Sequence, residues 1–144
     1  MNQLTVYKKS AKGEEEISTR NDGLSRDLRS TLICVDGKSS VAKIIDASQG
    51  LMNVPQCLEE LVEKGHVVVD EKATIETMKS ELIVAAHQIL GADAEKITGK
   101  IRGTHETREG LDAAVHSCKK LVRLVIDEKK AEALMRKCSE ILTP

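Results

Sequence analysis

Three short helix patterns follow one another between residues 25 and 70, and an apolar run at residues 66–69 closes the series. Serine or asparagine opens each pattern, and these side chains accept hydrogen bonds from the first backbone N–H groups of a helix. Glycine ends each pattern, because glycine adopts the left-handed conformation of a helix C-terminus without strain. The opening residues are Ser25, Ser39 or Ser40, and Asn53; the closing glycines are Gly37, Gly50 and Gly65.

Apolar spacing within these patterns predicts which side chains are buried. We expect a first helix over residues 25–35 to bury Leu28, Leu32, Ile33 and Val35. A second helix is expected over residues 41–47 and a third over about 54–64. A helix–turn–helix followed by a strand is the outline of a winged-helix domain, a fold found in DNA-binding proteins and in modules that bind only proteins.

A complete wing requires a second strand after the third helix, and the sequence offers none there. Residues 67–70 run directly into a new helical pattern. The wing is therefore short, absent, or completed by a strand at residues 5–7 that pairs with residues 66–69. After the strand at residues 5–7, Ser10 is expected to cap a brief helix. This helix runs through Ile17 and is weakened by Gly13.

From Thr74 onward the whole pattern is helical. Helices are expected after Thr74, after Asp93 and after Thr104, and a break around residues 126–128 precedes the last one. The predicted fold class is mainly α, with a winged-helix-like N-terminal module followed by a small C-terminal helical bundle. We expect three parts: an N-terminal segment over residues 1–20, the module over 21–70 and the bundle over 71–144.

Composition excludes several kinds of partner. Tyr7 is the sole aromatic residue, which removes the stacking platforms of single-stranded nucleic acid binding. Lysine and arginine total 22 against 23 acidic residues, so no net charge favours a polyanion. No apolar run is long enough to span a membrane, and the first residues lack a signal-peptide core. The expected location is the cytoplasm, with no membrane partner.

No catalytic or metal-binding constellation emerges from the sequence. Four scattered cysteines (Cys34, Cys57, Cys118 and Cys138) form no Cys-x-x-Cys pair and fall on apolar helix stripes, which predicts buried hydrophobic side chains. His105-Glu106 begins like a zinc-binding helix, but Glu109 stands where its second histidine is needed. His116 and Cys118 are two residues apart and point to different helix faces. We therefore predict no catalytic residue, no metal, no cofactor and no enzyme.

The main functional expectation is a non-catalytic interaction or adaptor protein in bacterial regulation or signalling. Basic side chains of the N-terminal segment and first helix form the hypothetical partner-binding face: Lys8, Lys12, Arg20, Arg26 and Arg29. An uncovered apolar seam of the bundle, notably residues 111–125, is a second surface and suits a homodimer.

The alternative is a DNA-binding transcriptional regulator that uses the winged-helix-like module. Its third helix would enter the major groove with Asn53, Gln56 and Lys64 as the contacting residues. The same helix carries three acids, Glu59, Glu60 and Glu63, which repel the phosphate backbone. Nucleic acid is therefore the less favoured partner.

The chain also resembles an uncharacterised family of small proteobacterial proteins. The resemblance lies in residues 7–20 (YKKSAKGEEEISTR), 28–30 and 32–38 (LICVDGK), and in the tail around 90–93 and 129–133. It implies a winged-helix-like module leading into a helical tail, and a bacterial cytoplasmic origin. It implies no established activity, cofactor or catalytic residue.

Overall fold

The computed structural model describes residues 2–104 and 107–143, which form a mainly helical protein with one two-stranded antiparallel sheet. The chain divides into two compact units after Thr74. The N-terminal unit contains β1 (Tyr7–Lys9), α1 (Ala11–Thr19), α2 (Arg26–Cys34), α3 (Val41–Ser48), α4 (Val54–Glu63) and β2 (Val67–Val69). Helix α5 (Glu71–Leu90) begins at the end of this unit and carries the chain into the next.

Side-chain caps set the helix starts of the N-terminal unit. Ser10, Ser25, Ser40 and Asn53 each accept a hydrogen bond from the backbone N–H three residues later. These bonds satisfy donors that have no partner within a helix. The helix starts predicted at these residues are confirmed, and Gly37, Gly50 and Gly65 all have positive φ where the helices give way to turns.

The sheet joins the N-terminal segment to the residues after α4. Strand β1 pairs antiparallel with β2 in the register Tyr7↔Val69, Lys8↔Val68 and Lys9↔Val67. An isolated bridge links Val6 to Ser40, just before α3. The predicted pairing of an N-terminal strand with residues 66–69 is thus confirmed, with β1 shifted two residues toward the C-terminus.

The core of the N-terminal unit is aliphatic. It is built from α2, α3, α4 and the two strands: Tyr7, Leu28, Leu32, Val35, Val41, Ile44, Val54, Cys57, Leu58, Leu61 and Val67. The predicted burial of Ile33 is wrong, since 56% of this residue is exposed. Thr31 is buried in its place, because positions 28, 31, 32 and 35 share one helix face and position 33 does not.

The C-terminal unit contains helices and no strand in its described residues. After α5 it contains a 3₁₀ turn (Gly91–Ala94), α6 (Glu95–Arg102), α7 (Arg108–Val125) and α8 (Glu128–Leu142). The break predicted around residues 126–128 is confirmed, and Asp127 caps α8. The helix start predicted at Thr104 is wrong: Thr107 caps α7, and Thr104 donates its hydroxyl to the carbonyl of Lys100 at the end of α6. Asp93 makes no capping bond to α6.

Helix α7 buries the apolar seam that the sequence analysis offers as a dimer surface. Leu111, Val115, Cys118 and Val122 are each at most 4% exposed, and α7 packs against α6 and α8 within its own unit. These four residues of the seam are therefore buried by packing within the chain and are not exposed for a dimer contact. Among residues 2–104 and 107–143, no helix combines the length and the hydropathy needed to cross a membrane.

Candidate functional site

Helix α1 packs unusually closely on the turn between α4 and β2. The backbone N–H of Ser10 donates to the carbonyl of His66 at 2.9 Å, and the Ser10 hydroxyl donates to the carbonyl of Gly65 at 2.5 Å. Gly13 lies over the same turn, where a Cβ atom would be 2.0 Å from the His66 carbonyl oxygen. Glycine is therefore required by this close approach, although it lowers the intrinsic stability of α1.

A polar cluster of two buried residues, Glu16 and His66, and the exposed Asp22 lies beside this contact. Glu16 is 2% exposed and His66 is 1% exposed. His66 Nε2 lies 2.7 Å from Asp22 Oδ2, and the backbone N–H of Asp22 donates to Glu16 Oε2 at 2.7 Å. One ligand atom from each of the three residues lies within 4.8 Å of the others.

Two atoms of this cluster have no hydrogen-bond partner among the described residues: Glu16 Oε1 and His66 Nδ1. A carboxylate only accepts hydrogen bonds, so the His66–Asp22 contact places the ring proton on Nε2. With its single proton on Nε2, the ring presents Nδ1 as an acceptor. Each of these two buried atoms costs about 1–3 kcal/mol if it has no partner.

Sequence reasoning missed this cluster because its members come from three elements. Glu16 belongs to an acidic run on α1, Asp22 to the following turn, and His66 to the residue before β2. The one local signal was Gly13, which lies one helical turn before Glu16 on the same face. The sequence alone identifies Gly13 only as a residue that weakens this helix.

The structure does not gather the five predicted partner-binding residues into one face. Lys8 lies beside Gly37, after the C-terminal end of α2, whereas Arg26 is the first residue of that nine-residue helix, about 12 Å away along its axis. Lys12 reaches across to the carbonyl of Lys64 at 2.8 Å. Arg20 is exposed and ends α1 in the left-handed conformation.

Arg29 is partly exposed and is hydrogen-bonded within the fold. Its guanidinium donates to the carbonyl of Glu16 at 3.2 Å and to that of Ile17 at 2.8 Å. These bonds satisfy carbonyls near the C-terminal end of α1 and join that helix to α2. Arg26, three residues earlier, is exposed.

Substituting Arg29 by methionine is expected to lower the free energy of unfolding by about 2 kcal/mol, because two charge-assisted bonds are lost. Arg26→Met is the matched control and should change stability by less than about 0.5 kcal/mol. Urea unfolding followed by the fluorescence of Tyr7 provides the measurement. Equal stabilities of the two variants would show that the Arg29 bonds do not anchor α1.

A cleft of about 420 Å³ opens between the start of α2 and the turn that joins α3 to α4. Leu51, in that turn, is 85% exposed. No ion pair involves Arg26 in the part of the chain that the structure describes. The cleft thus combines an exposed apolar side chain with an available guanidinium. Its lining residues are Arg26, Asp27, Ser30, Ala47, Ser48, Leu51 and Met52.

The residues of the DNA-binding alternative have other local roles. Asn53 caps α4 by accepting from the N–H of Gln56, and its amide lies 3.4 Å from Gln56 Oε1. Lys64 is exposed at the end of α4. Burial raises the pKa of Tyr7, and the nearby Glu59 carboxylate of α4 raises it further.

The C-terminal unit contains a cavity whose lining includes a cysteine and a histidine. A cavity of about 350 Å³ between α7 and α8 is lined by Cys138, His116 and Asp112, among others. Burial, and then the neighbouring Cys118, raise the pKa of the Cys138 thiol to about 11. A thiol rather than a nucleophilic thiolate is therefore present at neutral pH. His105 and Glu106 lie outside the described residues.

The four cysteines are free, and three of them are buried: Cys57, Cys118 and Cys138. Their predicted burial is confirmed, while Cys34 is only partly buried. Comparison of the chain with protein-family models, curated proteins and solved structures gives no match. The resemblance to a proteobacterial family stays a prediction.

Proposed function

We propose that this protein is a non-catalytic interaction or adaptor protein of bacterial regulation or signalling, and that a winged-helix-like N-terminal module carries its binding surface. The order of elements supports the module. A bridging residue, Ser40, lies between α2 and α3, and β2 follows α4. Strand β1 pairs antiparallel with β2, which is consistent with a wing completed by the N-terminal strand.

The observation that carries the proposal is the exposed Leu51 at the cleft beside Arg26. Burying a leucine against a partner contributes about 1.5–3 kcal/mol, which makes an isolated exposed leucine at a cleft a suitable anchor. Arg26 adds a planar donor for a carboxylate, and the N-terminal end of α2 favours negative charge at the same place. The expected occupant is a segment of another protein that carries an apolar side chain next to an acidic one.

DNA fits this unit less well than protein. The exposed side of α4 carries Glu59 and Glu63, with Glu60 partly exposed, and phosphates meet repulsion there. Asn53 is engaged in its capping bond. DNA binding would instead predict an affinity that depends on Gln56 and Lys64 and falls steeply with salt.

Affinity capture from a lysate of the source organism tests the proposal. The tagged protein should retain a specific protein partner after nuclease treatment. Leu51→Ser should reduce recovery about tenfold or more, and Arg26→Glu should reduce it comparably. Leu124→Ser is the matched control, because Leu124 is also 85% exposed but lies on α7. Its recovery should equal that of the natural protein.

Two outcomes would contradict the proposal. Equal loss of the partner in Leu51→Ser and Leu124→Ser would place binding elsewhere or make it nonspecific. Loss of every partner on nuclease treatment would favour the DNA-binding alternative.

A further inference from the structure

We propose that Glu16, Asp22 and His66 form a binding site for a divalent first-row transition-metal ion such as Zn²⁺, which fastens α1 to the start of β2. The residues supply one imidazole nitrogen and two carboxylates from three separate elements. The inference is independent of the docking cleft, since it involves none of the residues that line it.

Burial is the first reason. Glu16 and His66 are 2% and 1% exposed, and polar groups at such depth are normally paired. Glu16 Oε1 has no hydrogen-bond partner among the described residues. A cation would bind this oxygen together with Asp22 Oδ2 and His66 Nε2, which lie 2.7 Å apart, and would replace the proton between them.

The donor chemistry selects the class of ion. One nitrogen and two carboxylate oxygens suit zinc and neighbouring transition metals, whereas Mg²⁺ and Ca²⁺ prefer oxygen alone. Asp22, the most exposed member at 40% of its side chain, leaves a side open for water to complete the coordination.

Lys12 carries a positive charge that opposes a cation at Asp22. Its Nζ lies 3.8 Å from Asp22 Oδ2, so its positive charge competes for the same carboxylate. Removing that charge should strengthen metal binding. Lys12→Met is therefore expected to raise the affinity for Zn²⁺ severalfold, an effect in the opposite direction to that of a ligand substitution.

Calorimetric titration of the full chain with Zn²⁺, after treatment with a chelator, provides the test. The natural protein should bind one equivalent, and its melting temperature should rise with Zn²⁺ but not with Mg²⁺. Glu16→Gln and Asp22→Asn should each lower the affinity by about 10- to 100-fold. The control is His87→Gln, because His87 and Glu95 form a surface pair 3.7 Å apart in the other unit. It should bind as the natural protein does.

The four free cysteines are the competing source of zinc ligands, and Co²⁺ distinguishes them. A nitrogen and oxygen site gives cobalt bands without thiolate charge-transfer absorption. Absence of a one-to-one site, thiolate bands, or unchanged affinity in Asp22→Asn would each overturn the proposal. If Glu16→Gln unfolds the protein, Asp22→Asn still tests the metal site. Asp22 is half-exposed and asparagine has the same shape, so this variant should fold.

Discussion

Gly13→Ala is expected to destabilise the N-terminal unit by about 3 kcal/mol, although alanine is normally the better helix residue. The new Cβ would lie 2.0 Å from the His66 carbonyl oxygen and 3.0 Å from its carbon, which no side-chain rotation relieves. Helix α1 must therefore move away from the turn, and the bond from Ser10 N–H to that carbonyl weakens with it. A loss of roughly 10–20 °C in melting temperature follows for a unit of this size.

Gly99→Ala is the matched control, because Gly99 lies within α6 and a Cβ atom added there would have nothing within 4 Å of it. That substitution should stabilise the protein by about 0.5–1 kcal/mol. Urea unfolding should be followed by circular dichroism and by the fluorescence of Tyr7, the sole aromatic residue, which reports on the N-terminal unit. A stabilising effect of Gly13→Ala would contradict the close packing of α1 on His66.

Cys138 is expected to resist alkylation in the folded protein by a factor of about 100 or more at pH 8. Burial and the neighbouring Cys118 raise the pKa of its thiol from 9.0 to about 11. At pH 8 the thiolate fraction is then about 0.1%, against about 10% for a thiol of pKa 9.0. Because only the thiolate reacts, the rate should rise about tenfold per pH unit until the pH approaches 11.

Iodoacetamide labelling with peptide mass spectrometry measures this protection. Cys34 is only partly buried and should be labelled first, while urea should expose all four cysteines. Labelling of Cys138 as fast as Cys34 in native protein would contradict its burial between α7 and α8. It would also favour a catalytic role for the cavity that Cys138 shares with His116.

Local signals predicted most of the helical architecture. Ser10, Ser25, Ser40 and Asn53 cap the helices that the sequence assigns to them, because a capping bond depends only on residues three apart. Thr104 shows where such signals fail. Threonine caps a helix N-terminus or bonds back to a carbonyl one turn earlier, and Thr104 does the latter at the end of α6.

Features that depend on tertiary contacts could not be predicted from the sequence. His66 is separated from Asp22 by 44 positions, so no spacing rule joins them. Arg29 carries the same charge as Arg26, yet Arg29 donates to the carbonyl of Ile17 whereas Arg26 lines a cleft. The predicted basic face groups the five basic residues by charge alone. In the structure Arg29 forms hydrogen bonds within the fold, whereas Arg26 lines the cleft.

Photo-cross-linking at the cleft tests the proposed interaction module most directly. Benzoylphenylalanine placed at position 51 in the living cell should give a covalent adduct with one protein, and Arg26→Glu in the same chain should diminish it. The same photoreactive residue at position 124, equally exposed in the natural protein, should give little of that adduct. No adduct at position 51, or the same adducts at both positions, would contradict a docking site at the Leu51 cleft.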